Sequence, residues 1–209
     1  MKRKPFYLAP VLVALLGFGG CGPVSNNSPD DAAEKQVGSI AFAVERKWID
    51  PIDGASNSNL VLAFKPGEVE AQAAECSEDP KWECVQVRVV PRAQSSEFDG
   101  LRQAVRSTSA PPAESEIPSP NGLVLAGVND GVAVFSSDPG VEGAIFRCWM
   151  GDTGKDGIAG CQGETLVSDF RLILTFRRDE LARWSAIVAQ ASSLVEQLPR
   201  AHRRDGGER

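Results

Sequence analysis

The stretch from Ser168 to Leu198 limits the fold more than any other part of the chain. Its first part, "SDFRLILTF", sets Phe170, Leu172, Leu174 and Phe176 at every second position, the pattern of a strand with one buried face. It runs directly into "RRDELARWSAIVAQASSLVEQL", where Leu181, Trp184, Ile187, Val188, Ala191, Leu194, Val195 and Leu198 recur three or four apart. Asp179 and Glu180 stand in the first turn, where negative charge suits the helix dipole, and Pro199 stops the pattern. A helix with one apolar stripe must lay it on something, and a one-faced strand must belong to a sheet that offers such a surface. The fold class expected is α+β: an antiparallel, curved sheet with one long C-terminal amphipathic helix packed on it.

Shorter stretches supply the remaining strands. "SIAFAV" alternates Ile40, Phe42 and Val44 with smaller residues, and "LVLAF", Leu60 to Phe64, is an apolar run ended by Pro66-Gly67. "CVQVRVV" places Val85, Val87 and Val89 opposite Gln86 and Arg88, which reads as a half-buried strand. "GLVLAG" and "GVAVFSS" flank Asn129-Asp130-Gly131, a hairpin signal, and "GAIFRCWM" is a further strand. "SSEFDGLRQAVRS" allows a short helix from Ser96. Residues 107–120, with four prolines in "STSAPPAESEIPSP", read as a mobile surface loop.

The N-terminus carries an address. Lys2, Arg3 and Lys4 precede a charge-free run of 15 residues, Phe6 to Gly20, too short for the ~20 residues of a stable membrane-spanning helix. A basic start, a short apolar centre and a small-residue exit describe a secretory signal, with a retained membrane anchor as the competing reading. The exit, Phe18-Gly19-Gly20-Cys21, resembles the lipobox of bacterial lipoproteins, with Phe18 where that pattern usually has Leu. The resemblance implies a diacylglyceryl group on the Cys21 thiol, cleavage before Cys21 and acylation of the freed amine. It also implies attachment to the outer membrane facing the periplasm, because Gly22 replaces the Asp that marks inner-membrane retention. An ordinary secretory cut, with Gly20 and Gly22 as its small-x-small site, is the alternative. The expected organisation is a signal over residues 1–20, a lipid-anchored flexible tether over 21–36, one α+β domain over 37–198 and a flexible tail over 199–209.

Cysteine arithmetic agrees with that address. The chain has five cysteines, 21, 76, 84, 148 and 161. An odd number in an exported protein strands one thiol; lipid on Cys21 leaves four that can pair. Four cysteines allow three pairings, and the local one, Cys76 with Cys84 and Cys148 with Cys161, is expected. Zinc would need tighter spacing, such as Cys-x-x-Cys.

Candidate chemistries fall away one by one. In "CWMGDTGKDGIAGC", Asp152, Asp156 and Gly157 echo three positions of a calcium loop, but Gly154 and Gly163 stand where oxygen ligands belong and Glu164 is one residue late. Gly154-Lys155 lacks the upstream Gly and the following Ser or Thr of a phosphate loop. His202 is the one histidine and lies in the tail, where no imidazole is held beside a nucleophile. Glu68, Glu70, Glu75, Glu78 and Asp79 cluster and keep a carboxylate hydrolase open as an alternative, although such runs are usually solvated. No catalytic residue, metal ligand or cofactor is therefore expected.

Trp184 is read as core and Trp149 as packing on the 148–161 bridge, while Trp48 and Trp82 flank loops and are the candidates for a partner contact. Without residues 1–20 the chain holds 19 basic and 28 acidic side chains, a net charge of −9. That disfavours nucleic acid and an anionic membrane surface as partners of the domain and suits a basic protein partner or simple solubility, with membrane attachment through Cys21 alone. The last third also resembles envelope immunity proteins that protect bacteria from type VI or related effectors, in the Cys148–Cys161 pair, the strand ending at Phe176 and the helix with Leu181, Trp184 and Ile187. The resemblance implies a non-catalytic protein that occludes a toxic effector; an envelope assembly or ligand-carrying lipoprotein is the other binding alternative, marked by an apolar cavity between helix and sheet.

Overall fold

The computed structural model describes residues 32–50, 60–67, 76, 83–107, 117, 119–120, 122–137, 143–151 and 160–201. The chain divides into two compact units, Met1–Asp30 and Asp31–Arg209, and the described residues all belong to the second. Its strands are β1 (Ala32–Val37), β2 (Ile40–Glu45), β3 (Leu60–Phe64), β4 (Val85–Pro91), β5 (Val124–Asn129), β6 (Val132–Ser136), β7 (Ile145–Trp149), β8 (Gly160–Val167) and β9 (Phe170–Arg177). Helix α1 spans Phe98–Ser107 and helix α2 spans Trp184–Gln197.

Seven strands form one open antiparallel sheet in the order β3-β4-β9-β8-β7-β6-β5, and β1 and β2 form a separate antiparallel hairpin. Strands β5 to β9 follow one another as a meander, and the β3–β4 hairpin joins its last strand. Asp130 and Gly131, both at positive φ, make the two-residue turn between β5 and β6 that Asn129-Asp130-Gly131 predicts. The architecture is α+β and antiparallel, with the C-terminal helix on the sheet.

Alternation along each strand decides what the two faces of the sheet carry. Leu60, Leu62 and Phe64, Val85, Val87 and Val89, and Phe170, Leu172, Leu174 and Phe176 all enter the main core. The hairpin covers that face with Val37, Phe42 and Val44, and α2 covers it with Ile187, Ala191 and Val195. Phe42 meets Phe170 at 5.5 Å, and Phe146 meets Phe176 at 5.8 Å and Trp184 at 5.9 Å. Burying one such side chain fully contributes roughly 1.5–3 kcal/mol. Helix α1 takes the other face, where Phe98 is fully buried.

Several expectations need correction. Residues 32–36, read as tether, belong to β1 and pair in register from Ala32↔Glu45 to Val37↔Ile40. The inward positions include Lys35, so the strand has no apolar alternation to read. Pro199 to Ala201, read as the start of a loose tail, run beside β2: the Ala43 N–H donates to the Pro199 carbonyl at 2.9 Å and the Ala201 N–H to the Ala41 carbonyl at 2.8 Å. Ile117, inside the loop read as a surface excursion, packs on the core. The terminal helix starts as a 3-10 segment, Arg178–Arg183, and becomes α-helical only at Trp184.

The disulfides take the local pairing, Cys76–Cys84 and Cys148–Cys161. Cys148 and Cys161 are directly opposed on β7 and β8, so the second bridge staples neighbouring strands inside the core. Trp149 does not pack on it; one position further along β7, it lies on the opposite face, with the Arg147 guanidinium 5.6 Å from its ring.

Candidate functional site

Trp48 is the partner-contact candidate that the described residues include. It ends a 3-10 turn, Arg46–Trp48, that follows β2 directly. Beyond it the chain is fastened to the edge of the large sheet: Ile49 bridges Leu62, and the Asp50 N–H donates to the Val61 carbonyl at 2.9 Å. Buried Asp50 in turn accepts a hydrogen bond from Gln86 Nε2 at 3.0 Å. These ties bring Trp48 to the end of β3, beside α2.

There Trp48, Phe64, Gly67, Gln190, Ser193, Leu194 and Gln197 line a cleft of about 370 Å³, within the range of small-molecule and segment-binding sites. The Gly67 N–H donates to Gln190 Oε1 at 3.1 Å, and Arg183 Nη2 donates to the Pro66 carbonyl at 3.1 Å, so the turn after β3 is pinned to the helix. Gln197 Nε2 donates to Ser193 Oγ at 2.7 Å along the helix. Trp48, Phe64 and Leu194 provide apolar surface, and the lining has amides and a hydroxyl but no charged side chain. Charge stands at the rim: Lys47 Nζ lies 5.6 Å from the Trp48 ring centroid and pairs with Glu45 at 2.7 Å, while Arg183 pairs with Glu180 at 3.1 Å.

A second polar constellation lies under α1. Glu164 is fully buried on β8. Its Oε1 accepts from Arg102 Nε and from Arg171 Nη1, both at 3.1 Å, while Oε2 meets no protein donor. Arg102 also donates to the Gly143 carbonyl at 2.7 Å and to the Glu164 carbonyl at 3.2 Å; Arg171 donates to Asp99 Oδ1 at 2.7 Å. Ser96 and Asp99 cap the start of α1: the Ser96 N–H donates to Asp99 Oδ2 at 2.9 Å, the Phe98 N–H to Ser96 Oγ at 3.2 Å and the Asp99 N–H to the Ser96 carbonyl at 3.0 Å. The Ser96 backbone, and after it the Arg171 guanidinium, hold the Asp99 carboxyl below the usual carboxylate range. The arrangement consumes its donors in fixing α1 to the sheet. Glu164, one residue late for a calcium loop, is thus an internal ion-pair partner, and nothing in its lone sequence position marks it as one.

Lys35, buried on the inner face of β1, is held below the usual lysine range by burial first and by Arg46 second. Among the described residues no group of three or more His, Cys, Asp or Glu is placed to hold a metal ion, and no helix is long and apolar enough to cross a membrane. Cys21, Trp82, Asp152, Asp156, His202 and the acidic cluster Glu68, Glu70, Glu75, Glu78 and Asp79 lie outside the described residues. The cleft itself was not visible in the sequence: Gln190, Ser193 and Gln197 fall beside the apolar stripe of α2, and only Trp48 signals a site there.

No protein-family model matches the chain, and no curated protein is significantly similar to it. Among solved structures, an immunity protein of the Stenotrophomonas maltophilia type IV secretion system is similar over 82% of this chain and 94% of its own, at 11% identity and a TM-score of 0.47.

Proposed function

We propose that the chain is a lipid-anchored protein of the bacterial envelope, facing the periplasm from the outer membrane, that acts by binding and not by catalysis. The cleft between α2 and the end of β3 carries the binding part of this reading, because it gathers Trp48, Phe64 and Leu194 beside the polar side chains of Gln190, Ser193 and Gln197. The cysteines support the address. Two bridges take up Cys76, Cys84, Cys148 and Cys161, as an oxidising compartment favours, and Cys21 is the thiol that remains for lipid.

In the immunity version the partner is a toxic effector whose active site the domain occludes, and the net charge of −9 without residues 1–20 favours a basic partner. The residues that carry the resemblance to immunity proteins support it by forming one unit: Cys148, Cys161, Phe176, Leu181 and Ile187 share the core, with Trp184 packed against it. The ligand-carrying version is favoured by the same cleft. Deleting the gene and challenging the cells with the products of neighbouring secretion genes separates the two. Sensitisation to one product, reversed by the intact chain, is the result expected for immunity; resistance to all of them leaves the ligand-carrying reading. Cys21→Ser is expected to leave the membrane pellet, and its retention there would remove the anchor.

A further inference from the structure

We infer that the cleft beside α2 is a socket for one apolar side chain projecting from a basic protein partner. The inference deepens the reading above and rests on the cleft as the binding site. Its first support is size and fixity. A volume of about 370 Å³ lies at the small end of ligand clefts and has room for one large side chain with its peptide group. Phe64 is fully buried, so the cleft reaches in to the core. The turn after β3 is tied to α2 by the Gly67 N–H to Gln190 and by Arg183 to the Pro66 carbonyl, and Gln190 Nε2 donates back to the Lys65 carbonyl at 3.4 Å. Walls held in this way are in place before a partner arrives, which lowers the ordering cost of binding.

Chemistry supplies the second support. Trp48, Phe64 and Leu194 outweigh the polar part of the lining, and Gln190 is already engaged with the turn. Ser193 and Gln197 are exposed and can meet the N–H and carbonyl of one peptide group. A sugar ring would bring several hydroxyls against apolar walls that cannot pair them. A charged side chain would lose its water with no counter-ion, because no lining residue is charged. An apolar side chain meets neither cost, and a large one seated in such a pocket is the usual anchor of a protein interface. Charge around the cleft selects the partner that carries it. Outside the lining, Lys47 pairs with Glu45 and Arg183 with Glu180, so the rim is balanced. The chain as a whole stands at −6, and its field favours approach by a basic surface.

The test is a nuclear magnetic resonance titration of the full chain carrying Cys21→Ser, read at the Trp48 indole N–H, which Trp48→Phe assigns. The probes are acetyl-Lys-Phe-Lys amide, acetyl-Lys-Ala-Lys amide, acetyl-Glu-Phe-Glu amide and methyl glucoside. The lysine-flanked phenylalanine peptide is expected to shift the signal saturably at millimolar concentration and to bind about tenfold more tightly than the alanine peptide. The glutamate-flanked peptide is expected to bind severalfold more weakly, with the gap closing as salt is added. Ser193→Trp fills the cleft from an exposed position and, with folding checked by thermal unfolding, is expected to weaken the phenylalanine peptide about tenfold. No saturable shift at Trp48, equal binding of the phenylalanine and alanine peptides, or unchanged binding by Ser193→Trp would overturn the socket. Equal binding of the two phenylalanine peptides would overturn the basic partner. Tighter binding of the glucoside than of any peptide would overturn the inference and leave the cleft a binding site, so the two readings fail separately.

Discussion

Arg102 grips Glu164 at two points, through Nε to the buried carboxylate at 3.1 Å and through Nη2 to the backbone carbonyl of the same residue at 3.2 Å. One side chain of α1 thereby satisfies both a charge and a strand carbonyl on β8, and α1 is fixed to the sheet at a defined register. Fully buried carboxylates are tolerated only when paired, and Arg171 supplies the second cation.

Arg102→Ala is accordingly expected to destabilise the fold by about 3–5 kcal/mol, the cost of breaking a buried pair from one side. Arg171 stays within 3.1 Å of the carboxylate, so the lower end of that range is the expected value. Urea unfolding measures it. Hydrogen exchange along α1 should rise more than exchange along β9; an even rise across the sheet would show that Arg102 does not anchor the helix.

The Cys148–Cys161 bridge links adjacent strands and closes a separation of 13 residues. Removing it with Cys148→Ala/Cys161→Ala is expected to cost about 3 kcal/mol, mainly by freeing the unfolded chain. Thermal unfolding of the variant, compared with wild type, reads the loss. An unchanged Tm would mean that strand pairing between β7 and β8 already holds the loop without help.

Legibility followed the side chains that face the core. β4 and β9 are plain because Val85, Val87, Val89 and Phe170, Leu172, Leu174, Phe176 recur at every second position, with Gln86, Arg88, Arg171 and Thr175 between them and only Ile173 apolar on the other face of β9. β8 was hidden because its inward positions are Cys161, Gly163 and Thr165, and a strand whose apolar volume comes from its neighbours has no period of its own. β1 was hidden by buried Lys35. The cleft draws on the 3-10 turn at Trp48, the turn at Gly67 and the flank of α2, three places joined only by tertiary structure.

Asp99 makes stability depend on acid. Its carboxyl is held below the usual range first by the Ser96 backbone and then by Arg171. A carboxylate whose folded value is depressed stabilises the fold fully above its unfolded value and loses that contribution as pH falls through the folded one. Asp99 is 45% exposed, so solvent screens its share and the effect is a modest one. Urea midpoints measured from about pH 5 down to about pH 2 should fall less steeply in Asp99→Asn than in wild type. Parallel curves would place the acid sensitivity elsewhere.

The most particular contact in the sheet is the one between Gly163 and Phe146, which face each other across β8 and β7. A Cβ on Gly163 would come within 2.2 Å of the Phe146 ring and 3.1 Å of the Ile145 carbonyl, distances at which one of the two must shift. Elsewhere in a strand, replacing glycine with alanine gains about 0.4–1 kcal/mol by restricting the unfolded chain. Here Gly163→Ala is expected to cost about 1–3 kcal/mol, because the ring is wedged between Phe176 and Trp184 and has little room to retreat. The sign is separable from a general weakness of β8 by repeating the substitution in a Phe146→Ala background. That background loses about 3–5 kcal/mol to its own cavity, but within it the added methyl no longer meets a ring. The second substitution should then cost less than in wild type, and the coupling in the double-mutant cycle should be about 1 kcal/mol or more. Additive losses would mean that the glycine is required by the backbone of β8 and not by the ring that covers it.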